Sequence, residues 1–361
     1  MLSYAVKRVI RSLGLFAALL LGVILASTFF AGVNVGADTT AKAALNQQLS
    51  QVAVDIVIGG PSSPASTVWT SAVSNVVDVN GVTGAEVISR AYWWGNLTFE
   101  NYTSLQIVGI SNASRVCDGL TVTSGANSLG ENETYVWAGS KNANKIELNS
   151  TFTINFTYWV PGDYPQNEKT ISLSLKVVGF VELDNKAYNI ATGEIWYSQT
   201  LYEPLQEQPR ATYVENLFIM DWEETIAKFL DTVPSDVSYY TKLFTTQILA
   251  YIDRDALINP WDISASLDAV RMITTQVNQA VAGYGMYANN NLEQVLTMYQ
   301  FTSMTMRFSF LIVALPVFFV AWYVGTTVSD VSYNLRRREI GLLLTKGFST
   351  GQLFRMFLTE S

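Results

Sequence analysis

Two pairs of carboxylates and one aromatic triplet in this 361-residue chain have the types and spacing to do chemistry. Asp253 and Asp255 stand two apart behind an apolar run, Glu223 and Glu224 are adjacent, and Tyr92-Trp93-Trp94 are consecutive. Carboxylates at i, i+2 could hold a cation, but a hard cation takes six or more oxygens, so a solvated turn is the better reading. The triplet could be a binding platform; aromatics alternating on a strand usually pack a core, and that is the expectation here. The chain has no histidine and a single cysteine, Cys117. Ser-His-Asp and Cys-His nucleophiles, His-ligated zinc, His-based pH sensing and an internal disulfide therefore drop out together. No Gly-x-x-x-x-Gly-Lys-Ser/Thr loop occurs, so the chain cannot cradle nucleotide phosphates by that device; any use of ATP, with its Mg, must come from a partner, and no cofactor, metal site or catalytic residue is expected in this chain.

A third group is positioned by the membrane. Arg336, Arg337 and Arg338 directly follow an apolar run, Phe308 to Val328, which matches an earlier run, Leu13 to Val33; both are 21 residues without a charge. At about 1.5 Å per residue each reaches the ~30 Å of a bilayer core. The first could be a cleaved signal sequence behind Lys7, Arg8 and Arg11, but its apolar core exceeds the usual 7–15 residues and a retained helix is expected. Arginines and lysines outside both runs place both ends in the cytoplasm and residues 34–302 outside. That outside segment carries 27 Asp/Glu against 13 Lys/Arg, while the flanks are net basic. An acidic ectodomain will not seek nucleic acid or anionic lipid. Six Asn-x-Ser/Thr sequons, at Asn96, Asn101, Asn112, Asn132, Asn149 and Asn155, cluster in this segment and are candidate N-glycosylation sites.

The periodicity predicts a helix over 38–50 with Ala41, Ala44, Leu45 and Leu49 on one stripe, and a strand over 52–58. Ser66 can cap a helix to about Val77, and Asn80-Gly81 turns into a strand running through the aromatic triplet. Further strands are expected around 103–110, 150–160 and 171–183. From Thr212 a strand, a helix capped by Asp221 and a second strand at 245–253 echo the unit at 52–110 as a divergent repeat. Leu267, Val270, Ile273, Val277 and Val281 recur at three or four, and this helix leads toward the second span as a stalk, interrupted near Gly283 to Gly285 and Asn289 to Asn291. The expected fold is a membrane protein. Two transmembrane helices flank a mixed α+β extracytoplasmic domain of two strand–helix–strand subdomains, with helical stalks. The boundaries are a cytoplasmic start at 1–12, spans at 13–33 and 303–328, an ectodomain at 34–302 (subdomains about 52–183 and 212–260, stalk about 264–302), and a cytoplasmic coupling segment with the start of a third span at 329–361.

That last segment, RRREIGLLLTKGFSTGQLFRMFLTES from Arg336, resembles the FtsX/MacB-type ABC transporter permeases. The matching positions are Arg337, Arg338, Glu339, Ile340, Gly341, Gly347 and Ser349, with Leu358 and Glu360 at a shortened spacing. VNGVTGAEVIS, LQIVGI and LKVVGFVEL occur in the order of that family's extracytoplasmic core domain. The resemblance implies a non-catalytic permease subunit in the cell membrane, multi-pass, working as a homodimer or paired permease with an ABC ATPase subunit. It also implies a continuation into third and fourth spans beyond Ser361. Arg336 to Arg338 would anchor at lipid headgroups, and Glu339, Ile340, Gly341, Leu344, Gly347 and Ser349 would form a coupling helix, with Ile340, Leu344, Gly347 and Phe348 on one face. The alternative is a two-span anchored sensor or ligand-binding surface protein. Such a sensor needs a cytoplasmic output module, and the 33 residues after Val328 contain none.

Overall fold

The computed structural model describes residues 13–60, 65–159, 168–195, 214–233 and 243–358. Lys7, Arg8, Arg11 and Glu360 lie outside them. The chain divides into two compact units, a sheet unit of Leu45–Met298, here called the ectodomain after its expected placement, and a helical unit made from the segments before and after it.

Among the described residues the ectodomain is built on a mixed sheet of ten strands: β1 (Ile56–Gly59), β2 (Val82–Leu97), β3 (Glu100–Ile110), β4 (Leu120–Gly125), β5 (Glu133–Trp137), β6 (Thr151–Trp159), β7 (Glu168–Leu183), β8 (Leu217–Asp221), β9 (Thr245–Ile252) and β10 (Tyr287–Asn290). Their order is β10-β1-β9-β2-β3-β8-β5-β7-β4, with β6 also on β7. β9 runs antiparallel to both β1 and β2, so those two are parallel and the helix joining them, α2 (Ser66–Val77), crosses over β9. β8 pairs parallel with β3, and its return to β9 crosses β2 and β3. The expected division into units 52–183 and 212–260 is therefore corrected, because β8 and β9 fill interior places between strands of the first segment. Each interior strand satisfies the N–H and C=O rows that two separate sheets would leave open at their edges.

Local capping follows chemistry that sequence order hides. α2 does begin at Ser66, but the Ser66 N–H and Oγ–H both donate to the Asp231 carboxylate, at 2.9 and 2.7 Å. A carboxylate at a helix N-terminus satisfies orphan donors and the helix dipole at once. Asp221 caps as predicted, accepting from Glu224 N at 2.7 Å, although the helix opens with a π turn at Trp222–Ala227 before a short α-helix. The short helix α3 (Arg115–Asp118) and α4 (Asn185–Thr192) lie against one sheet face, whose buried cluster includes Val57, Ile88, Val108, Val116, Ile190 and Ile219. α5 (Lys228–Thr232) follows the π turn, and α6 (Arg254–Leu257) follows β9. α7 (Ile263–Val281) buries Leu267, Val270, Ile273, Val277 and Val281, as the spacing predicts, and packs on α2.

The expected stalk over 264–302 is broken. α7 ends at Val281, Gly285 turns at φ 67°, and Tyr287–Asn290 pairs with β1 as an edge strand. A left-handed residue of this kind is where glycine costs least. In the helical unit, α1 (Leu13–Ser50) contributes its part before Leu45, and α8 (Asn291–Thr345) its part from Tyr299, followed by α9 (Thr350–Leu358). Among the described residues one helical segment, Ala314–Val331, is long and apolar enough to cross a membrane, with a mean hydropathy of 1.3 and 6% of it buried.

Candidate functional site

Two groups of residues stand out, one in each unit. In the helical unit, α8 runs without a break through Pro316 and Arg336–Arg338 to Thr345. No separate helix starts at Glu339, so Glu339, Ile340, Gly341 and Leu344 lie on the last turns of α8. Gly347 adopts φ 89° just past the helix end. Its N–H donates to Leu344 O at 3.0 Å and the Phe348 N–H to Leu343 O at 3.2 Å. Those two bonds make a Schellman stop, which needs a left-handed residue at this position. Ile340, Leu344, Gly347 and Phe348 therefore do not share one helical face, because the last two residues lie beyond the helix.

Ser349 opens the next helix. Its Oγ accepts from Gln352 N at 3.3 Å, and its own N–H donates to Gln352 Oε1 at 3.2 Å, a reciprocal capping box. α9 then buries Leu353 and leaves Phe354 67% exposed. Among the glycines, a Cβ added at Gly341 or Gly351 meets nothing within 4 Å. Arg337 is exposed; the side chains of Arg336, Arg338 and Glu339 lie outside the described set.

In the ectodomain, one buried carboxylate organises the chain around it. Asp55 is 1% exposed, and its Oδ2 accepts from Ile252 N at 2.8 Å while Oδ1 accepts from Arg254 Nε at 2.7 Å. The same guanidinium donates to Leu49 O and Val52 O, both at 2.8 Å. Leu49 is in the last turn of α1, whose carbonyls lack intrahelical partners and attract a cation. Asn291, the first residue of α8, donates its N–H to Asp55 O and its Nδ2 to Val54 O, each at 2.8 Å, and Nδ2 also to Ile195 O at 2.7 Å. Asn290 Oδ1 caps α8 by accepting from Leu292 N at 2.9 Å. The last turn of α1 and the first residue of α8 are thus held by one polar knot. It also explains why β1 begins at Ile56 rather than Val52, since the Val52 and Val54 carbonyls are already engaged.

Sequence reasoning passed over this knot. Asp55 read as one position in an alternating strand, and Arg254 was overlooked between the two aspartates that flank it. The available signal was Asp55 itself, because a charge inside an apolar strand requires a partner. Asp253 turns out to cap α6, accepting from Ala256 N at 3.1 Å, and Asp255 is exposed. Burial and then the neighbouring Asp221 push the Glu223 carboxyl above its ordinary range. Glu224 is paired with Lys228 at 2.7 Å. The expectation that the aromatic triplet is buried needs correction: Trp93 donates to Asn155 O at 2.9 Å, whereas Tyr92 and Trp94 are 51% and 64% exposed. The triplet straddles a ribbon of which only one face is covered. All six sequon asparagines are exposed.

No protein-family model and no curated protein matches the chain. Among solved structures, the periplasmic region of MacB from Actinobacillus actinomycetemcomitans is similar at 11% identity and a TM-score of 0.36, over 70% of this chain and 97% of its own. The extracellular domain of the noncanonic ABC-type transporter YknZ from Gram-positive bacteria is similar at 11% identity and 0.31, over 66% and 100%. A domain assigned to a permease protein of Porphyromonas gingivalis is similar at 10% and 0.32, over 66% and 88%. At such values the likeness says nothing of activity.

Proposed function

We propose that the chain is the permease subunit of an ATP-driven ABC complex, a non-catalytic lever in the cell membrane that passes the closure of a separate ATPase to an outside domain. The observation that carries this reading is the pair of helix ends fastened in one knot by Asp55, Arg254 and Asn291. A movement of either helix would reach the sheet through charged, buried bonds instead of a loop. The apolar surface supports the membrane placement: Leu20, Leu21, Phe30, Leu311, Ile312, Phe318, Val320 and Trp322 are all more than half exposed. Soluble monomers rarely show so continuous an apolar surface, whereas lipid covers it without cost. Leu13–Val33 is read as the first span and the run around Ala314–Val331 as the second, with Arg336 to Arg338 at the cytoplasmic headgroups. Dimerisation and spans beyond Ser361 belong to the same proposal, as does the assignment of α8's last turns, Gly347 and Ser349, to the ATPase contact.

Topology is tested by thiol labelling of the full chain in intact cells in a Cys117→Ser background. Asn144→Cys, on an exposed ectodomain position, should react with an impermeant reagent, and Thr345→Cys should not. Labelling at 345 overturns the arrangement. Coupling is tested at Gly341, where a side chain has room and the backbone is helical. Gly341→Trp should abolish co-purification with the ATPase and stimulated turnover, with membrane insertion normal. Unchanged association and turnover would sink the coupling role and favour the anchored sensor or surface-binding alternative, because a tryptophan lying on lipid is well tolerated.

A further inference from the structure

The ribbon of β2 and β3 outruns its neighbours. β9 accompanies β2 no farther than Arg90, and β8 joins β3 only from Gln106. Residues 92–97 and 100–105 form a two-stranded arm. One face is covered: Leu97, Thr103 and Leu105 are buried, Trp93 bonds to β6, and Phe99 packs edge-on against Phe152. The other face shows Tyr92 and Trp94, rings stacked 6.5 Å apart, and next to them exposed Asn96; Tyr102, at the bulge, is 78% exposed.

Asn96 begins the sequon Asn96-Leu97-Thr98. Its Oδ1 accepts from Tyr102 N at 2.8 Å, which fixes the amide and turns Nδ2 away, without a partner among the described residues. Trp94 is two residues earlier on the same strand face, about 7 Å away along the strand. No other sequon has this arrangement. The residue two before Asn101 is Phe99, already packed on Phe152, and those before Asn112, Asn132, Asn149 and Asn155 are Ile110, Gly130, Glu147 and Thr153.

We propose that Asn96 carries an N-linked glycan whose first sugar lays its C–H face on the Trp94 ring, making the aromatic face of the arm a seat for the chain's own sugar. In forming it, Asn96 Nδ2 attacks the anomeric carbon of a lipid-phosphate-linked oligosaccharide supplied by the host's transferase. The C–N bond forms, the anomeric C–O bond breaks, the amide loses a proton and the lipid phosphate leaves with the electron pair. No redox change is involved. The sugar converts an exposed apolar patch, which would otherwise favour association, into a hydrated surface. This inference rests on the extracytoplasmic placement proposed above.

The test uses the full chain expressed in its native host. Glycopeptide mass spectrometry should find Asn96 occupied. Thr98→Ala removes the sequon while leaving the Asn96 amide and its bond to Tyr102 intact. It should lower the thermal midpoint by about 2–3 °C in the wild-type background and by under about 1 °C beside Trp94→Ala. A bare Asn96 in protein whose Asn144→Cys label places the ectodomain outside overturns the proposal alone. An equal Thr98→Ala effect in both backgrounds overturns the seat. Labelling that places the ectodomain inside removes the functional reading together with this one.

Discussion

In the ectodomain a charged side chain, Asp55, is 1% exposed and receives a donor for each carboxylate oxygen, while Ile56, Val57 and Ile58 beside it are fully buried. In the helical unit Leu21, Ile312 and Phe318 are 58%, 65% and 67% exposed. The two regions distribute the same residue types in opposite ways, as the membrane placement proposed above requires. Where protein packs on protein, apolar groups turn inward and each buried polar atom needs its own partner. Where the surroundings are hydrocarbon, the backbone is satisfied within the helix and the apolar side chains face out. In the ectodomain the loss of a buried polar partner should therefore be among the costliest single changes, whereas backbone geometry should matter more at the end of α8.

The most damaging single change is expected at the knot. Arg254→Met leaves Asp55 buried without its counter-charge, and removing one partner of a buried pair costs about 3–5 kcal/mol. Adding Asp55→Asn should recover about half of that, since the amide can still accept from Ile252 N. Arg271→Met is the matched control, because the Arg271–Glu293 pair at 2.7 Å is 52% and 36% exposed and should cost under about 1 kcal/mol. Urea unfolding of the full chain in detergent, followed by near-UV circular dichroism, measures all four. Equal losses for Arg254→Met and Arg271→Met would show that burial does not set the weight of this knot.

Glycine separates the two regimes next. At Gly347, φ 89° means that alanine is strained by about 1 kcal/mol, so Gly347→Ala should fray the stop between α8 and α9. At Gly341, in the helix interior with open space around the Cβ position, alanine should gain about 0.5–1 kcal/mol. Hydrogen exchange at Leu343 to Gln352 reads both: faster for Gly347→Ala, slower for Gly341→Ala. A bulky residue at Gly347 could not report on docking, since strain and contact would be lost together. The same direction of change in both variants would mean that the Schellman stop is not what ends α8.

Elements with a strong local period were legible from the sequence. The five apolar positions of α7, the strand pattern of β6 and β7, the cap at Asp221 and the turn at Gly81 each follow from short-range chemistry that neighbours cannot easily override. What the sequence hid was long-range. Asp231 capping α2 and Arg254 reaching Leu49 join residues 165 and 205 positions apart, and no window of sequence contains both partners. β10 is four residues, and its pairing with β1 was masked by an Asn-rich stretch that reads as a break. Tyr92 and Trp94 were misplaced for a different reason. Alternation tells which residues share a strand face, but whether that face is covered depends on how far the neighbouring strands extend. In the segment proposed to couple, the residue types were readable while their roles were not, since a Schellman glycine and a packing glycine look alike until φ is known.

The smallest expected effect concerns a rim contact in the ectodomain. Glu215 accepts from Lys141 Nζ at 2.9 Å and from Ser104 N and Oγ at 3.0 and 2.8 Å. The hydrogen bond from Lys141, followed by those from Ser104, holds the carboxyl down at about 2, against 4.5 ordinarily. A depressed carboxyl stabilises the fold above its unfolded pKa, so its contribution is complete above about pH 4.5 and fades as the pH falls toward 2. The side chain is 25% exposed and Lys141 52%, so solvent screening keeps the effect under about 1 kcal/mol. Glu215→Gln keeps the shape and removes the titration. Its midpoint in thermal unfolding should fall slightly below wild type at pH 6, and the gap should narrow steadily between pH 4.5 and 3. A gap independent of pH would assign the contact to packing rather than charge. It would also separate this rim pair from the Asp55 knot, where the charge itself is what the surrounding structure is built to hold.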